Sequence, residues 1–271
     1  GPAKHRQRSW SGTSFPCPMA KQVTRDNAIV FNEVSLSRSG HRVFDGLNLT
    51  LRCGLWHAVV GRSGVGKTSL LRLLATLEKP DSGQIETGGA KDLSRQIAYM
   101  SQEDGLLPWL NALDNVQLGA RLRGGVDNDS RAKAIHLLEQ VNLQDWATAL
   151  PNALSGGMRQ RIALARTLFE NRKLVLMDEP FSGLDAITRD ELQSLSYDLL
   201  GGKTVVLVTH DPSEALRLCH YVHVLRPLEA DQKSETTQLE LTGIPARSVD
   251  DPVVMAGIPQ LWRLLKQVAH A

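Results

Sequence analysis

The chain has 271 residues, 42% of them hydrophobic, enough for one large or two modest domains around a sizeable core that needs no metal or disulfide staple. Its 31 Lys and Arg against 29 Asp and Glu give a formal charge of +2, too balanced for a surface that coats nucleic acid, so any specificity for anions has to be local. The three cysteines, Cys17, Cys53 and Cys219, are scattered with no C-x-x-C pair and read as reduced thiols in a cytosol, and no run nears the roughly 18 apolar residues of a membrane span.

The opening GPAKHRQRSWSGTSFPCPMAK is basic and rich in Ser, Pro and Gly, without the apolar stretch of a secretory signal. Residues 1–24 are expected to be a flexible tail or a remnant of expression, with Met19 a candidate natural start. From Ile29 three apolar stretches follow, AIVFNEVSLS, GLNLTLRCG and WHAVVG. In the second, Leu47, Leu49 and Leu51 share one face and Asn48, Thr50 and Arg52 the other, which predicts a half-exposed antiparallel sheet. HAVVG breaks at glycine and enters KTSLLRLLATLE, where Leu70, Leu71, Leu73, Leu74 and Leu77 recur at helical spacing. The order is strand, glycine loop, helix.

QIAYMSQ predicts a further strand that ends at Gln102. From Asn111 to about Leu150 the periodicity is helical, interrupted at RGGVDNDS, where Asp129 or Ser130 could cap the next helix. KLVLMDE and TVVLVTH are continuous apolar runs that read as buried parallel strands, joined by the helical DAITRDELQSLSYDLL. After YVHVLRP, the polar LEADQKSETTQLELTG reads as a surface hairpin or loop and DPVVMAGIPQLWRLLKQVAHA as an amphipathic helix. No internal repeat is present.

GRSGVGKTS fits G-x-x-x-x-G-K-[ST], from Gly61 through Arg62, Ser63, Gly64, Val65 and Gly66 to Lys67 and Thr68, with Ser69 next. Glycines let the backbone curl so that successive N–H groups face phosphate oxygens, and the helix that follows adds its positive end. Lys67 is expected on the β- and γ-phosphates and the Thr68 hydroxyl on Mg²⁺. A plain glycine turn would share part of this pattern, but the strand before it and the helix after it favour a nucleotide.

In LVLMDEP, Asp178 and Glu179 lie at the carboxyl end of an apolar run, where open α/β sheets place their ligands. Asp178 is expected to hold Mg²⁺ through water, and Glu179 to polarise an attacking water. By itself DEP could simply end a strand before a turn. His210 ends the next apolar run and is expected beside the same edge as a γ-phosphate contact.

LSGGM, from Leu154 to Met158, followed by RQRIALARTL, resembles the LSGGQ signature of ABC-type ATPases, with Met158 in place of its last residue. Ser155, Gly156 and Gly157 would open a helix whose free N–H groups and hydroxyl grip phosphate. In chain order the phosphate loop, Gln102, the signature, the acidic pair, SGLD from Ser182 to Asp185, and His210 look like the Walker A, Q-loop, signature, Walker B, D-loop and H-loop of that family, over about Asn27 to Leu225.

The resemblance implies an α/β P-loop NTPase with a RecA-like, mostly parallel sheet, an antiparallel β subdomain and a helical subdomain inserted at about 103–168. The ATPase domain would span 25–225 and an extension 226–271. It implies ATP and Mg²⁺, with Gln102 also near the metal, and a head-to-tail homodimer. Each ATP would lie between one chain's phosphate loop and the other chain's signature, Ser155, Gly156 and Gly157, with Asp185 also among the nucleotide-binding residues.

Two features depart from the family pattern. The expected adenine-stacking aromatic is replaced by SRSGHRVF, with Arg38 or His41 near the spot, and the D-loop reads SGLD where SALD is common. MSQEDGLLPWLNALDNVQLG resembles the corresponding segment of importers for nitrate, sulfonates, taurine and thiamine precursors, as does LTGIPARSVDDP with LWRLL near the end. Leu106, Leu107 and Trp109 would either pack the core or stay exposed in a groove for a partner's helix.

That implies a motor subunit on the cytoplasmic face of a bacterial inner membrane. It would bind permease subunits, depend indirectly on an external solute-binding protein, and bind no nucleic acid. The alternatives are a soluble ABC ATPase acting on ribosomes or DNA, or a regulatory subunit that binds ATP without productive hydrolysis.

Overall fold

The computed structural model describes residues 27–87, 93–228 and 232–267. Expectations for residues 1–24, including Met19 and Cys17, for part of the polar segment after Leu228 and for the end of the terminal helix lie outside the described residues.

Strands β1 (Ala28–Arg38) and β2 (His41–Arg52) form an antiparallel hairpin. Leu47, Leu49 and Leu51 are buried along β2 while Asn48 faces solvent, as the alternation predicts. β3 (Trp56–Val60) is buried along its whole length and leads through the glycine loop into α1 (Lys67–Leu74), and β4 (Ser82–Thr87) returns to pair antiparallel with β1. These make a three-stranded sheet, β2-β1-β4.

Helix α1 ends one turn earlier than the leucine spacing suggests. Leu77 N–H bonds the Arg72 carbonyl at 3.0 Å and Thr76 N–H the Leu73 carbonyl at 3.1 Å. Thr76 sits at φ 56, so the helix closes in a left-handed cap and leaves Leu77 62% exposed.

β5 (Ile97–Met100) stops two residues before Gln102. The helical region holds α2 (Ala112–Val116), α3 (Leu118–Leu122) and α4 (Asn128–Gln140), followed by the long α5 (Gly156–Phe169). The cap of α4 is Asp127 and not Asp129 or Ser130. Its carboxylate accepts the Ser130 N–H at 2.8 Å while the Ser130 hydroxyl accepts the Asp127 N–H at 3.0 Å, so Ser130 serves as the reciprocal partner three residues in.

Next come β6 (Leu174–Asp178), α6 (Ala186–Leu199), β7 (Thr204–Val208), α7 (Pro212–Leu218), β8 (Tyr221–Leu225), β9 (Thr236–Glu240) and α8 (Pro252–Gln267). A six-stranded sheet runs β5-β6-β7-β3-β8-β9. All its pairings are parallel except β8 with β9, which places the polar segment's strand antiparallel at the edge.

Strands buried on both faces read as continuous apolar runs because the pleat sends alternate residues to different cores. Val175, Met177, Val205 and Leu207 join the core under α5 and α7, whereas Leu174, Leu176, Val206 and Val208 join the core under α1 and the small sheet. The mostly parallel sheet, the antiparallel sheet and the helical region together match the expected fold class. No helix among the described residues is long and apolar enough to cross a membrane.

Candidate functional site

The phosphate loop leaves the carboxyl end of β3, in the middle of the large sheet. Gly66 forms the N-cap of α1 at φ 101, and a Cβ there would lie 2.7 Å from Val43 Cγ1 and 2.8 Å from Phe44 Cζ. Only glycine satisfies both the conformation and the space. The Val65 side chain closes over Gly61, and Gly64 turns at φ 81. Arg62, Ser63, Gly64 and Thr68 are exposed, and Ser69 is buried on the inner side of α1. The buried Lys67 ammonium donates to the carbonyls of Gly61 and Arg62, both at 2.9 Å. Burial pulls its pKa down, while the charges of Glu179 and Asp178 act in the opposite direction.

Asp178 ends β6 in register with Val208 of β7. Burial raises its carboxyl above the usual carboxylate range, against the Thr68 hydroxyl that hydrogen-bonds to it. The Tyr99 hydroxyl also donates to Oδ2 at 3.4 Å, and its own pKa is pushed up to about 12, first by burial and then by the Asp178 charge. A carboxylate and a hydroxyl side by side are hard oxygen donors of the kind Mg²⁺ takes when phosphates and water supply its remaining ligands. Asp178 and Thr68 therefore fit that ion.

Glu179 is turned away from its neighbour by a left-handed backbone at φ 46. Its N–H bonds the Val208 carbonyl at 2.9 Å, and its carbonyl accepts the Ser182 N–H at 3.2 Å and hydroxyl at 2.9 Å. These bonds offset the roughly 1 kcal/mol or more that such a conformation costs a residue with a side chain. Glu179 Oε2 accepts Gln102 Nε2 at 3.3 Å and lies 3.2 Å from His210 Nδ1. Residues that follow β5, β6 and β7 thus meet on one carboxylate oxygen. Glu179, His210, Arg189 and Glu214 help line a cleft of about 90 Å³ behind it.

The signature turn stands elsewhere on the molecule. Ser155 caps α5 by accepting the Met158 N–H at 3.2 Å, and Ser155 and Gly156 are exposed. A Cβ on Gly157 would lie 3.2 Å from Thr188 Cγ2. Met158 is half-buried against the core, which explains how an apolar residue serves at that position. Helix α5 packs against α2, α4, β5 and α6, whereas α1 packs against β6 and β7. Among the described residues no hydrogen bond joins the signature turn to the phosphate loop. Asp185 caps α6, accepting from Ile187 N at 3.1 Å and Thr188 N at 3.0 Å, and these backbone bonds lower its pKa, the Thr188 bond most.

Arg38 pairs with Glu78 at 2.9 Å, and Arg72 shares that carboxylate, while His41 is exposed. In the LLPW segment Leu106 is buried and Leu107 half-buried, so of the three apolar residues singled out only Trp109, 71% exposed, faces solvent. The buried Asn115 amide ties this loop down, accepting Leu107 N–H at 2.8 Å and donating to the Leu110 carbonyl at 2.9 Å. Sequence reasoning passed over Tyr99, Asn115 and Glu214, and took Ser182 only as the start of SGLD. Only Ser182 carried a local signal, as the hydroxyl three residues after Glu179 in a turn.

The family described as ABC transporter matches residues 44–182. The chain is 42% identical over 236 residues to an ABC transporter ATP-binding protein of Haemophilus influenzae, covering 87% of this chain and 95% of that one. It is 40% identical over 221 residues to an aliphatic sulfonates import ATP-binding protein of Mesorhizobium japonicum, covering 80% and 83% respectively. A dimeric ATP-binding cassette solved in a post-hydrolysis state with ADP and Pi superposes with a TM-score of 0.66 at 30% identity, over 80% of this chain and 100% of that one.

Proposed function

Since the chain belongs to the ABC transporter family of ATP-binding proteins, we propose that it is the ATP-hydrolysing motor of a multi-component importer. It works as a pair of identical chains at the cytoplasmic face of a bacterial inner membrane, bound to integral-membrane permease subunits. An external solute-binding protein acts on it only through the permease. The Mesorhizobium relative supports a small organic sulfonate as the cargo. Stimulation of ATP hydrolysis by the reconstituted permease and its binding protein, with a sulfonate against nitrate or a thiamine precursor, tests that choice.

Gly61 to Ser69 cradle the triphosphate, and Lys67 neutralises its outer phosphates. Thr68 and Asp178 would hold Mg²⁺ with Gln102 nearby, and the ion when bound spreads the charge that develops on the β- and γ-oxygens. Glu179 orients the attacking water and receives its proton, with Gln102 and His210 keeping the carboxylate aimed and responding to the γ-phosphate. Ser155, Gly156, Gly157 and Asp185 meet the nucleotide of the other copy. The exposed signature turn, which makes no hydrogen bond to its own phosphate loop among the described residues, supports that pairing, as does the dimeric cassette.

The observation that carries this reading is the convergence of Gln102 and His210 on Glu179 Oε2 beside the phosphate loop. Glu179→Gln is expected to bind ATP and dimerise but to lose about 100-fold or more in turnover. Turnover at the wild-type rate would remove the assignment.

A further inference from the structure

Among the described residues, the reaction described above leaves one buried carboxylate without a role. Glu214 lies in the first turn of α7 and is 5% exposed. Both of its oxygens are committed: Oε2 accepts the Thr209 hydroxyl, and Oε1 accepts Gln193 Nε2 at 3.3 Å. The Thr209 oxygen in turn accepts the Asp211 N–H at 3.0 Å. The residues on either side of His210 are therefore tied to each other and to Glu214.

Behind Glu214 a second set of bonds reaches the C-terminal part of the chain. Arg217 Nη1 donates to Gln193 Oε1 at 2.8 Å and its Nε to the Arg247 carbonyl at 3.0 Å. Arg247, 3% exposed, donates to the carbonyls of Leu216 at 2.8 Å and Cys219 at 2.9 Å, which close the end of α7, and to that of Thr242 at 3.0 Å. Helix α7 is thus anchored at its far end while its near end carries the His210 turn.

We propose that Glu214 is a positioning residue for ATP hydrolysis: with Thr209 it fixes the backbone on both sides of His210 so that the imidazole meets Glu179, and Gln193, Arg217 and Arg247 brace it from the C-terminal segment. The proposal rests on the hydrolytic role given to Glu179 above. The need for such a brace is geometric. The His210 side chain is 67% exposed, so packing does not hold the ring, and its 3.2 Å approach to Glu179 depends on where the backbone puts it.

Glutamine at 214 preserves size but turns one acceptor into a donor. Facing Gln193, that donor would force the Gln193 amide to abandon Arg217; facing Thr209, it reverses the bond and leaves the buried Thr209 hydroxyl proton without an acceptor. Burial pushes the Glu214 carboxyl up to about 7, with the Thr209 and Gln193 bonds opposing the rise and the Asp211 charge adding to it.

The test uses the full chain with three substitutions, Glu214→Gln, Thr209→Val and Thr209→Ser. ATP hydrolysis is measured for kcat and KM, and the His210 imidazole is followed by nitrogen–proton correlation NMR, its signals assigned with His210→Gln. Glu214→Gln and Thr209→Val are expected to lower kcat about tenfold or more with KM within about threefold, and to shift the His210 signals. Thr209→Ser, which keeps the hydroxyl, is expected to restore both.

If Glu214 merely joins α7 to the body, Thr209→Val will hydrolyse within about twofold of wild type per folded molecule, or leave the His210 signals unmoved. Either result overturns the proposal. Should Glu214→Gln fail to fold by thermal melting, the Thr209 pair decides alone. Wild-type turnover in Glu179→Gln is a separate failure, of the hydrolytic reading itself.

Discussion

A buried histidine pair makes the stability of this fold depend on pH in a direction that can be worked out. His57 Nδ1 lies 3.0 Å from His223 Nε2, and His57 Nε2 lies 3.0 Å from the Arg52 carbonyl. A carbonyl only accepts, so the His57 proton is on Nε2, its Nδ1 accepts, and His223 Nε2 donates. His223 Nδ1 is then the bare lone pair, buried without a hydrogen-bond partner. Both rings are neutral. Burial first, then the His223 charge, pushes His57 down to about 3, and burial pushes His223 down to about 4.

In the unfolded chain both titrate near 6.5, so the unfolded state binds more protons below that value. Stability is full above about pH 6.5 and falls as the pH drops towards the folded values, by about 2 kcal/mol per histidine between pH 7.5 and 5. Glu214 works the other way. Raised by burial to about 7, it takes up its proton more readily in the fold and recovers about 2 kcal/mol over the same interval, so the wild-type profile alone is muted. His223→Gln isolates the effect, because the amide nitrogen can replace Nε2 as donor to His57 and does not titrate. Urea unfolding of the nucleotide-free chain should show the difference between variant and wild type moving by about 2 kcal/mol in the variant's favour from pH 7.5 to pH 5. Glu214, His57 and the other groups common to both largely cancel in that difference. If it is the same at both pH values within about 0.5 kcal/mol, His223 is not held neutral by the fold and the reasoning fails.

Two further substitutions probe the loop and the outer surface. Gly66→Ala introduces a Cβ 2.7 Å from Val43 Cγ1 at φ 101, and it should cost about 2 kcal/mol or more in stability together with ATP binding, followed by melting and nucleotide titration. Retained ATP affinity would show that the loop tolerates a side chain there. Trp109→Ala removes an exposed ring and should leave stability within about 0.5 kcal/mol while lowering recovery of the permease in co-purification. Undiminished recovery would take Trp109 out of the permease contact.

Local patterning was legible wherever one choice of geometry followed from it. The Leu47, Leu49, Leu51 alternation leaves a strand only one way to face the core. It misled where two geometries share a pattern. Leu77 continues the spacing of Leu70, Leu73 and Leu74, and only the left-handed turn at Thr76, a residue type that does not advertise such a turn, takes it out of the helix. Asp127 and Asp129 offer the same capping chemistry two residues apart. The reciprocal bond from Ser130 selects the first, since a carboxylate at the cap reaches the N–H three residues on. Leu106 and Leu107 are adjacent in a loop, so no period says which of them turns inward.

The site follows the same division. Gln102, Glu179 and His210 each follow an apolar strand, and because β5, β6 and β7 lie side by side, their order along the chain becomes proximity in space. A motif at a strand end therefore needs only the sheet order to become a site. Contacts between segments far apart in sequence have no such shortcut: Tyr99 reaches Asp178 across 79 residues and Gln193 reaches Glu214 across 21. In SEALRL, Glu214 and Arg217 look like the solvated charges of a surface helix, and only the packing of α6 and of the C-terminal segment onto α7 buries them. Two charges are costly to bury unless their bonds are complete, and here each oxygen of Glu214 and each nitrogen of Arg217 has a partner. A network of that kind, placed one residue from an imidazole whose position depends on its backbone, would link the C-terminal segment mechanically to Glu179, the carboxylate proposed to act in hydrolysis.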